Sequence, residues 1–407
     1  MRVMTTILVS LISDQTIPNI LAIEHFKPDE LLFVTTDEME RKNKVPAIMS
    51  TLDRLGLKYA DRSSKITVQE DSILDCHRKM DSWIQEREDA EFIINLTCGT
   101  KIMSIAAYEF FKDYSSKMIY IPVPKNGFIV PFPKKSPGKP IELDLRVNVI
   151  QYLTAYGLNV VNEAKLRSYH EEAVRRRELS EWIMNNYDNI KNLLIWLSGN
   201  LRLHRDDKEY NFTGSFSGAN GEENNLLGKL GFTYNGSTVS RKLTRSEIRY
   251  LTGGWLEEFC FNKVLGFQHL GIDDAVIGLS LMNPQGRDNE FDVMFTKENA
   301  LYFIECKSLD QYEDKDTNVL YKIGALQKEF GLRVKSFLVT TSPYILKNGK
   351  LKQSVSARAE QFNTVVVPPS DVHRLEDILR RELKIFQDTL DKVNKYHEKT
   401  LRGLSEG

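Results

Sequence analysis

The sequence predicts two α/β domains, the first built on a doubly wound, mostly parallel sheet and the second on a small mixed sheet. Two observations support this fold class. Up to about residue 130, apolar runs of strand length alternate with helical stretches, and such βαβα order favours parallel strands with helices on both faces. From residue 253 onward, a helix is followed by three strands, a helix and a further strand, which is typical of a compact second α/β unit.

The size and composition of the chain fit a multidomain globular protein. A chain of 407 residues is too long for one ordinary hydrophobic core and fits two or three domains. Apolar residues make up 41% and charged residues 27%, as in typical soluble proteins. The formal net charge of -1 gives no overall attraction to nucleic acid, so any site for a polyanion has to be local.

The cysteines favour a reducing compartment, and we therefore expect a cytoplasmic protein. They lie far apart, with no C-x-x-C pair for zinc and no dense framework of the secreted type. The apolar run at the N-terminus is too short for a signal peptide or a bilayer span, and no other membrane segment is expected. The four cysteines are Cys76, Cys98, Cys260 and Cys306.

The first domain is predicted to span residues 1–142. Ligands of parallel sheets bind beyond the carboxyl ends of the strands, where two loops lie, at 11–19 and 95–101. Proline-rich segments at 122–124, 131–133 and 137–140 break the pattern and mark the end of this domain. The predicted strands are 6–12, 31–35, 92–96 and 118–122, and the predicted helices are 17–26, 46–55, 72–86 and 102–114.

The loop at 95–101 leads into a helix and fits an anion. Free backbone N–H groups at a helix start attract phosphate, and Thr97, Thr100 and Lys101 add donors. Neither a P-loop nor a G-x-G-x-x-G fingerprint is present, so ATP hydrolysis and NAD binding lose support. On physical grounds alone, an equally good interpretation is that the threonines only cap the helix.

Residues 143–245 are predicted to form a linker and helical region with a loop-rich insertion. A strand and helix are expected at 147–156 and a charged helix at 171–181, whereas the stretch 213–240, rich in Gly, Asn and Ser, suggests no role. The run Arg175–Arg177 offers a contact for nucleic acid, but a solvated helix face is the favoured interpretation.

The second domain is predicted to span residues 246–407, and its central feature is a hairpin at 288–307. Its remaining predicted elements are a helix from Gly253, strands at 275–282, 336–340 and 364–367, a charged loop at 310–317, a helix at 320–330 and terminal helices from 372.

The hairpin carries acids at strand spacing. Side chains two apart in a strand point the same way, so Glu290 and Asp292 share one face, as do Glu305 and Lys307. Mg²⁺ and Mn²⁺ prefer such hard oxygen ligands, activate bound water and neutralise phosphate charge. Asp292 and Glu305 are predicted to hold the metal, and Lys307 to orient the attacking water.

The alternative is that these acids are solvated and that Lys307 is only their ion-pair partner. Glu305 and Lys307, however, end an apolar run with the composition of a buried strand, where an unpaired charge is costly. A third acid is expected from the preceding helix, either Glu257 or Glu258. Their side chains lie about 100° apart on a helix, and Glu257 is favoured.

These acids carry a family resemblance. The order Glu257, Glu290-x-Asp292 and Glu305-Cys306-Lys307 resembles the PD-(D/E)xK nuclease signature, and the segment 320–326 resembles the helix that follows it in one subfamily.

The N-terminal half resembles a CARF domain, the sensor fold of CRISPR ancillary proteins, through Gln15-x-x-Pro18-Asn19 and the segment 95–103. In this order, the two halves are similar to the CARF-fused ancillary nucleases of type III CRISPR systems. Residues 163–246 carry no motif. Cys98 departs from the glycine of many relatives, but Gly99 still allows close backbone approach.

The resemblance implies a Rossmann-like sensor domain joined by a linker region to a restriction-endonuclease-like domain. It implies a homodimer whose paired CARF domains bind a cyclic oligoadenylate, most often the tetra-adenylate, and switch on metal-dependent cleavage of DNA or RNA. A two-fold dimer gives a symmetric ligand an identical loop set from each half. The residues assigned to ligand binding are Ser10, Ser13, Gln15, Asn19, Thr36, Asn95, Thr97, Cys98, Gly99, Thr100 and Lys101.

Two other functions stay open. One is a ligand-sensing regulatory protein whose C-terminal domain holds nucleic acid or a partner without cleaving. The other is a metabolic enzyme that binds a dinucleotide on the N-terminal sheet, and the missing glycine fingerprints disfavour it.

Overall fold

The computed structural model defines most of the chain. Several sequence predictions lie outside the described residues: the loop at 310–317, most of the helix at 320–330, parts of the proline-rich segments and the helices beyond 384. The structure describes residues 4–85, 87, 89–122, 126–133, 140–282, 288–308, 320, 323–324, 330–331 and 334–384.

The N-terminal sheet confirms the doubly wound expectation. Its strands are β1 (Thr6–Leu11), β2 (Glu30–Thr35), β3 (Ser63–Thr67), β4 (Glu91–Asn95), β5 (Ser116–Tyr120), β6 (Gly127–Phe132) and β7 (Ile141–Glu142). Their order is β3-β2-β1-β4-β5-β6-β7, with β1 to β5 parallel and the last two antiparallel. Strand β3 escaped sequence analysis because it is polar and only half-buried.

Helices cover both faces of this sheet, and alternate residues of β1 serve the two cores. Leu8 packs with α1 and α3, whereas Ile7 and Val9 pack with α4 and α5. Burial on both faces explains why the central strand is mostly apolar. The helices are α1 (Ile17–Phe26), α2 (Asp37–Arg41), α3 (Lys44–Arg54), α4 (Ile73–Ile84) and α5 (Lys101–Phe111).

Helix α6 (Val149–Ala155) lies between the two large sheets. It begins with a capping box in which Asn148 and Gln151 bond each other's backbone N–H at 2.8 and 3.0 Å. Its Tyr152 and Leu153 are buried in a core that extends from the first sheet to Phe291 of the second. The two sheets therefore share packing through this helix.

The middle of the chain is more helical than predicted. The charged helix at 171–181 is two helices that meet at Arg176, and the stretch 213–240 contains a helix, α10. Helix α10 starts with an Asn220-x-x-Glu223 capping box, a sequence pattern from which this helix could have been predicted. The elements are α7 (Glu163–Arg175), α8 (Arg177–Asn185), α9 (Tyr187–Leu201), β8 (Glu209–Ser215), α10 (Gly221–Lys229), β9 (Thr233–Tyr234), β10 (Thr238–Thr244) and α11 (Arg245–Arg249).

The second large sheet has the predicted mixed character. Its order is β11-β12-β13-β14-β17, antiparallel up to β13 and parallel beyond it. The predicted hairpin is confirmed, because Val293 of β12 pairs with Ile304 of β13. The elements are α12 (Trp255–Leu265), β11 (Asp274–Met282), β12 (Asp288–Lys297), β13 (Ala300–Lys307), β14 (Val334–Thr340), β15 (Leu346–Lys347), β16 (Lys350–Leu351), α13 (Gln353–Gln361), β17 (Thr364–Val367) and α14 (Leu375–Glu382).

Within the described part of the chain, no helix is both long and apolar enough to cross a membrane.

Candidate functional site

A glycine turn sets the start of α12 against the end of β13. Gly253 has φ 138°, a conformation that favours glycine, in the π-type turn 250–254 that precedes the helix. A Cβ at this position would lie 2.9 Å from Ser308 Oγ, and Ser308 donates to the Gly253 carbonyl at 3.4 Å. The first turn of α12 therefore lies beside the strand that carries Glu305 and Lys307.

The two adjacent glutamates of α12 have different surroundings. Glu258 is buried and accepts from Arg176 Nε at 3.0 and 3.1 Å, and Arg176 also pairs with Glu172 at 3.3 Å. Arg176 is therefore not on a solvated face, in contrast to the prediction for the run 175–177. Glu257 is half-buried, and the charged groups that affect its pKa most are Glu290, Arg205 and Glu305.

The predicted acids of the hairpin are held by protein donors. Asp292 Oδ2 accepts from the Cys306 backbone N–H at 2.6 Å. Glu305, only 5% exposed, accepts from Lys307 Nζ at 2.9 Å. The Lys307 side chain is 29% exposed, so this ion pair lies at the edge of the buried region.

The carboxylates affect each other's protonation. Burial, and after it the charges of Glu305 and Glu257, holds the pKa of Asp292 well above its usual range, although Lys307 and the Cys306 N–H act in the opposite direction. Burial, and after it the charge of Glu290, raises the pKa of Glu257 to about 7. Mutual raising of this kind marks a region with more negative charge than nearby cations neutralise.

This donor set fits a hard divalent cation that keeps part of its water. Over the described residues, there is no group of three or more His, Cys, Asp or Glu side chains that could hold a metal ion. Mg²⁺ does not require one, because it is commonly held by one or two carboxylates and several waters. The crowded acids Glu257, Asp292 and Glu305 offer oxygen ligands and an unbalanced charge for such an ion.

At the N-terminal sheet, polar side chains tie the two candidate loops together. Asn95 Nδ2 donates to Asn19 Oδ1 at 3.0 Å, and Asn19 Nδ2 donates to the Leu11 carbonyl at 3.1 Å. Asn95 Oδ1 accepts from Thr97 Oγ1 at 2.6 Å, and Thr97 in turn accepts from the Ile121 N–H at 2.8 Å. The buried Asn19 and Asn95 thus brace the loops from below.

The exposed part of these loops is what remains available to a ligand. Gly99 has φ 78°, and a Cβ there would lie 3.0 Å from Leu11 Cβ, so the turn requires glycine. Thr100 caps α5 by accepting from the Met103 N–H at 3.2 Å, as the alternative interpretation expected. The predicted ligand residues that are exposed or half-buried are Ser13, Gln15, Thr97, Gly99, Thr100 and Lys101.

The other predicted ligand residues lie deeper. Ser10 is inside β1, fully buried between β2 and β4, with no hydrogen-bond partner for its hydroxyl in the described structure. Thr36 accepts from the Met39 N–H at 3.4 Å and so caps α2. Cys98 is buried, and its Sγ donates to the Gln15 carbonyl at 3.1 Å.

Two family models match the chain. One, described as the Card1 CARF domain, covers residues 7–152, and the other, described as a Card1-like endonuclease domain, covers residues 244–385. The chain belongs to the Card1-like CARF endonucleases. The predicted order of a sensor domain and an endonuclease domain is thereby confirmed.

Solved structures share the fold of this CARF endonuclease. Protein VC1899 from Vibrio cholerae is 18% identical with a TM-score of 0.76, and the match covers 93% of this chain and 98% of that one. Can2 from Sulfobacillus thermosulfidooxidans, in complex with cyclic tetra-adenylate, is 21% identical with a TM-score of 0.71, and the match covers 91% and 97%. No match was found among curated proteins.

Helix α6 connects the CARF loops to the endonuclease domain. On the CARF side, Thr16 Oγ1 donates to the Ala155 carbonyl at 2.6 Å, and Tyr156 Oη donates to Gln15 Oε1 at 3.1 Å. On the endonuclease side, Tyr152 Oη donates to the Phe330 carbonyl at 2.9 Å. A Cβ on Gly331 would lie 2.5 Å from the Tyr156 ring, so the two domains meet at this tyrosine.

Sequence reasoning missed the cations and the tyrosine that surround the CARF loops. Asp14, in the first loop, pairs with Lys42 Nζ at 2.9 Å and with Lys44 Nζ at 3.6 Å. Lys44 also lies 5.6 Å from the centroid of the Tyr156 ring. No sequence motif marks these residues, because each reaches the loop from a different helix or its flank.

Proposed function

We propose that this CARF endonuclease is a metal-dependent nuclease that a cyclic oligoadenylate activates. The observation that carries the proposal is the meeting of Glu257, Asp292, Glu305 and Lys307 at one end of the second sheet. Three acids and a lysine at this spacing are suited to hydrolysing phosphodiester bonds. The matched CARF and endonuclease domains are the parts that such a protein needs.

We assign Mg²⁺ or Mn²⁺ to Asp292 and Glu305, with Glu257 as the third acid. A bound divalent cation would activate water and neutralise charge on the phosphate. Lys307 pairs with Glu305 at 2.9 Å, and from this position it would orient the water or a phosphate oxygen. Glu258 takes no part, because Arg176 occupies its carboxylate.

We assign the activator to the loops around Gln15 and Gly99, with cyclic tetra-adenylate as the favoured ring. Two features support this: the loops lie at the carboxyl ends of parallel strands, and the structurally similar Can2 was solved with cyclic tetra-adenylate. Exposed Thr100 and Lys101 add donors for phosphate. A homodimer would offer a symmetric ring two identical loop sets.

The proposal is tested by cleavage of plasmid, single-stranded DNA and RNA, with and without each ring size and each metal. We expect Glu305→Gln and Lys307→Ala to lower the activated rate at least about 100-fold, because each removes a group at the reacting phosphate. Glu298→Gln, on the exposed hairpin turn, is the matched control. Undiminished cleavage by both variants contradicts the proposal, and metal and ring binding without any cleavage would favour the regulatory alternative.

A further inference from the structure

A short turn of the middle region, residues 202–208, presents two unusual side chains. It joins α9 to β8, in the part of the chain that neither family model matches. Leu203 is 93% exposed, the most exposed large apolar side chain of the described residues. Arg205, two residues later, is also exposed. An apolar and a cationic side chain are thus offered together to solvent.

The turn is firmly held, so this exposure does not reflect a loose loop. The His204 ring stacks on Tyr210 at 3.6 Å between centroids, and His204 Nδ1 bonds Asp207 Oδ2 at 2.8 Å. Arg245 of α11 binds the Asp206 carbonyl.

A second α11 arginine adds to this anchoring, because Arg249 Nη2 pairs with Asp206 Oδ1 at 3.5 Å. None of these contacts uses Leu203 or Arg205. The Arg205 side chain has no ion pair or hydrogen bond within the described structure, although its neighbours on the turn do.

The anchoring places the turn beside α11, which leads toward the helix that carries Glu257. Helix α11 runs directly into the 250–254 turn and then into α12, whose first turn carries Glu257. Tyr187, at the start of α9, stacks on Trp255 at 5.6 Å, which fixes α9 to the same helix start. The charge of Arg205 acts on Glu257, where it opposes the effects of burial and of Glu290. Arg205 immediately precedes Asp206, which pairs at 3.5 Å with Arg249, the residue before the 250–254 turn.

We propose that the 202–208 turn is a substrate-contacting arm, in which Arg205 binds a backbone phosphate beside the scissile bond and Leu203 packs against an adjacent base. The proposal rests on the proposed nuclease function and names part of its substrate site. A polyanion that approaches several carboxylates needs a nearby cation, and this chain has no overall positive charge to supply it. Guanidinium groups bind phosphate through two parallel hydrogen bonds. Apolar side chains contact bases that are exposed or unstacked.

The test measures binding separately from cleavage. Binding of a labelled single-stranded oligonucleotide is followed by fluorescence anisotropy in the inactive Glu305→Gln background, over a range of salt concentrations, with activator and Mn²⁺ present. We expect Arg205→Ala to weaken binding about tenfold and to lower the salt slope by about one charge, as for the loss of one phosphate contact. Arg205→Lys keeps the charge and should regain most of the slope. Lys191→Ala, an exposed cation on α9, is the matched control and should change neither quantity.

Kinetic measurements distinguish substrate contact by Arg205 from an effect of its charge on Glu257 alone. With the active enzyme, Arg205→Ala should raise KM more than it lowers kcat, and Leu203→Ser should do the same to a smaller extent. Binding and KM equal to those of Lys191→Ala overturn the inference. A shifted pH profile with unchanged affinity overturns it as well, since Arg205 would then act only on Glu257. Failure of the wild-type enzyme to cleave any nucleic acid is a separate result, which counts against the nuclease proposal while the binding measurement still decides the arm.

Discussion

The adjacent glutamates of α12, Glu257 and Glu258, lie in different electrostatic environments. Glu258 is neutralised by Arg176 in a buried pair with side-chain exposures of 8% and 15%, whereas Glu257 faces other acids. The Glu258–Arg176 pair stabilises the fold, whereas Glu257 is assigned to the proposed chemistry. Two substitutions of the same kind should therefore have different effects.

We expect Glu257→Gln to fold normally and to lose activated cleavage, and Arg176→Ala to be destabilised by about 3–5 kcal/mol. The second change leaves the Glu258 carboxylate buried without its partner, which is costly in protein interiors. Urea unfolding and cleavage of the same preparations measure the two effects. Equal stability losses in both variants would show that the two glutamates are not divided in this way.

The crowded acids also make stability depend on pH. The pKa of Glu257 rises from 4.5 to about 7 on folding, first through burial and then through Glu290. A raised carboxyl pKa stabilises the fold fully below the unfolded pKa, and this contribution is lost as the pH rises through the folded pKa. In metal-free protein, the melting temperature should therefore fall between pH 5 and pH 8.

Glu257→Gln should show a shallower fall over the same range, because the amide does not titrate. Mn²⁺ should raise the wild-type melting temperature more at pH 8 than at pH 5, since a metal binds the deprotonated acids. Differential scanning fluorimetry with and without metal measures both. A pH profile that is identical in the two proteins would contradict the proposed environment of Glu257.

The residues that could be predicted from the sequence are those whose position follows from the local periodicity of a strand or turn. Asp292, Glu305 and Lys307 were predicted as site residues because side chains in a strand repeat every two residues, and the glycine turn at 99 was predicted because it joins a strand to a helix. The contact of Tyr156 with Gln15 was not predicted, because the two residues lie far apart in sequence. Only tertiary packing brings such residues to a site.

Helix α6 and the residue that follows it join the CARF domain to the endonuclease domain. They contact the CARF loop through Tyr156 and Gln15 and the endonuclease domain through Tyr152 and Phe330. A ligand activates only if it binds one arrangement of the two domains better than the other. Movement of Gln15 by a bound ring would be passed to this helix.

We expect Tyr156→Phe to bind the activator nearly as well as wild type but to be activated several-fold less. The change removes the hydrogen bond to Gln15 Oε1 and keeps the ring that packs on Gly331. Calorimetry gives the activator affinity, and cleavage rates over an activator titration give the activation. Tyr234→Phe, which removes a hydroxyl bond to Gly236 in the middle region, is the control. Wild-type activation of Tyr156→Phe would show that activation does not depend on the hydrogen bond between Tyr156 and Gln15.

The two domains that follow each other along the chain also pack against each other. The CARF domain and the endonuclease domain share a buried core through α6, while the middle region packs on α12. The α/β class, the mixed second sheet and the hairpin were predictable from alternating apolar patterns. The middle region was not, because short helices rich in Asn and Gly have weak periodicity, and its packing on α12 is visible only in three dimensions.

We propose that a cyclic oligoadenylate controls metal-dependent cleavage at the acids of the second sheet. The most direct measurement is the initial rate of nucleic acid cleavage with Mn²⁺ over a titration of cyclic tetra-adenylate, for wild type and Glu305→Gln side by side. We predict a rate that rises from near zero and saturates in wild type, returns to zero when the metal is chelated, and never rises in the variant. A wild-type rate that is independent of the ring, or that persists after chelation, would contradict the account.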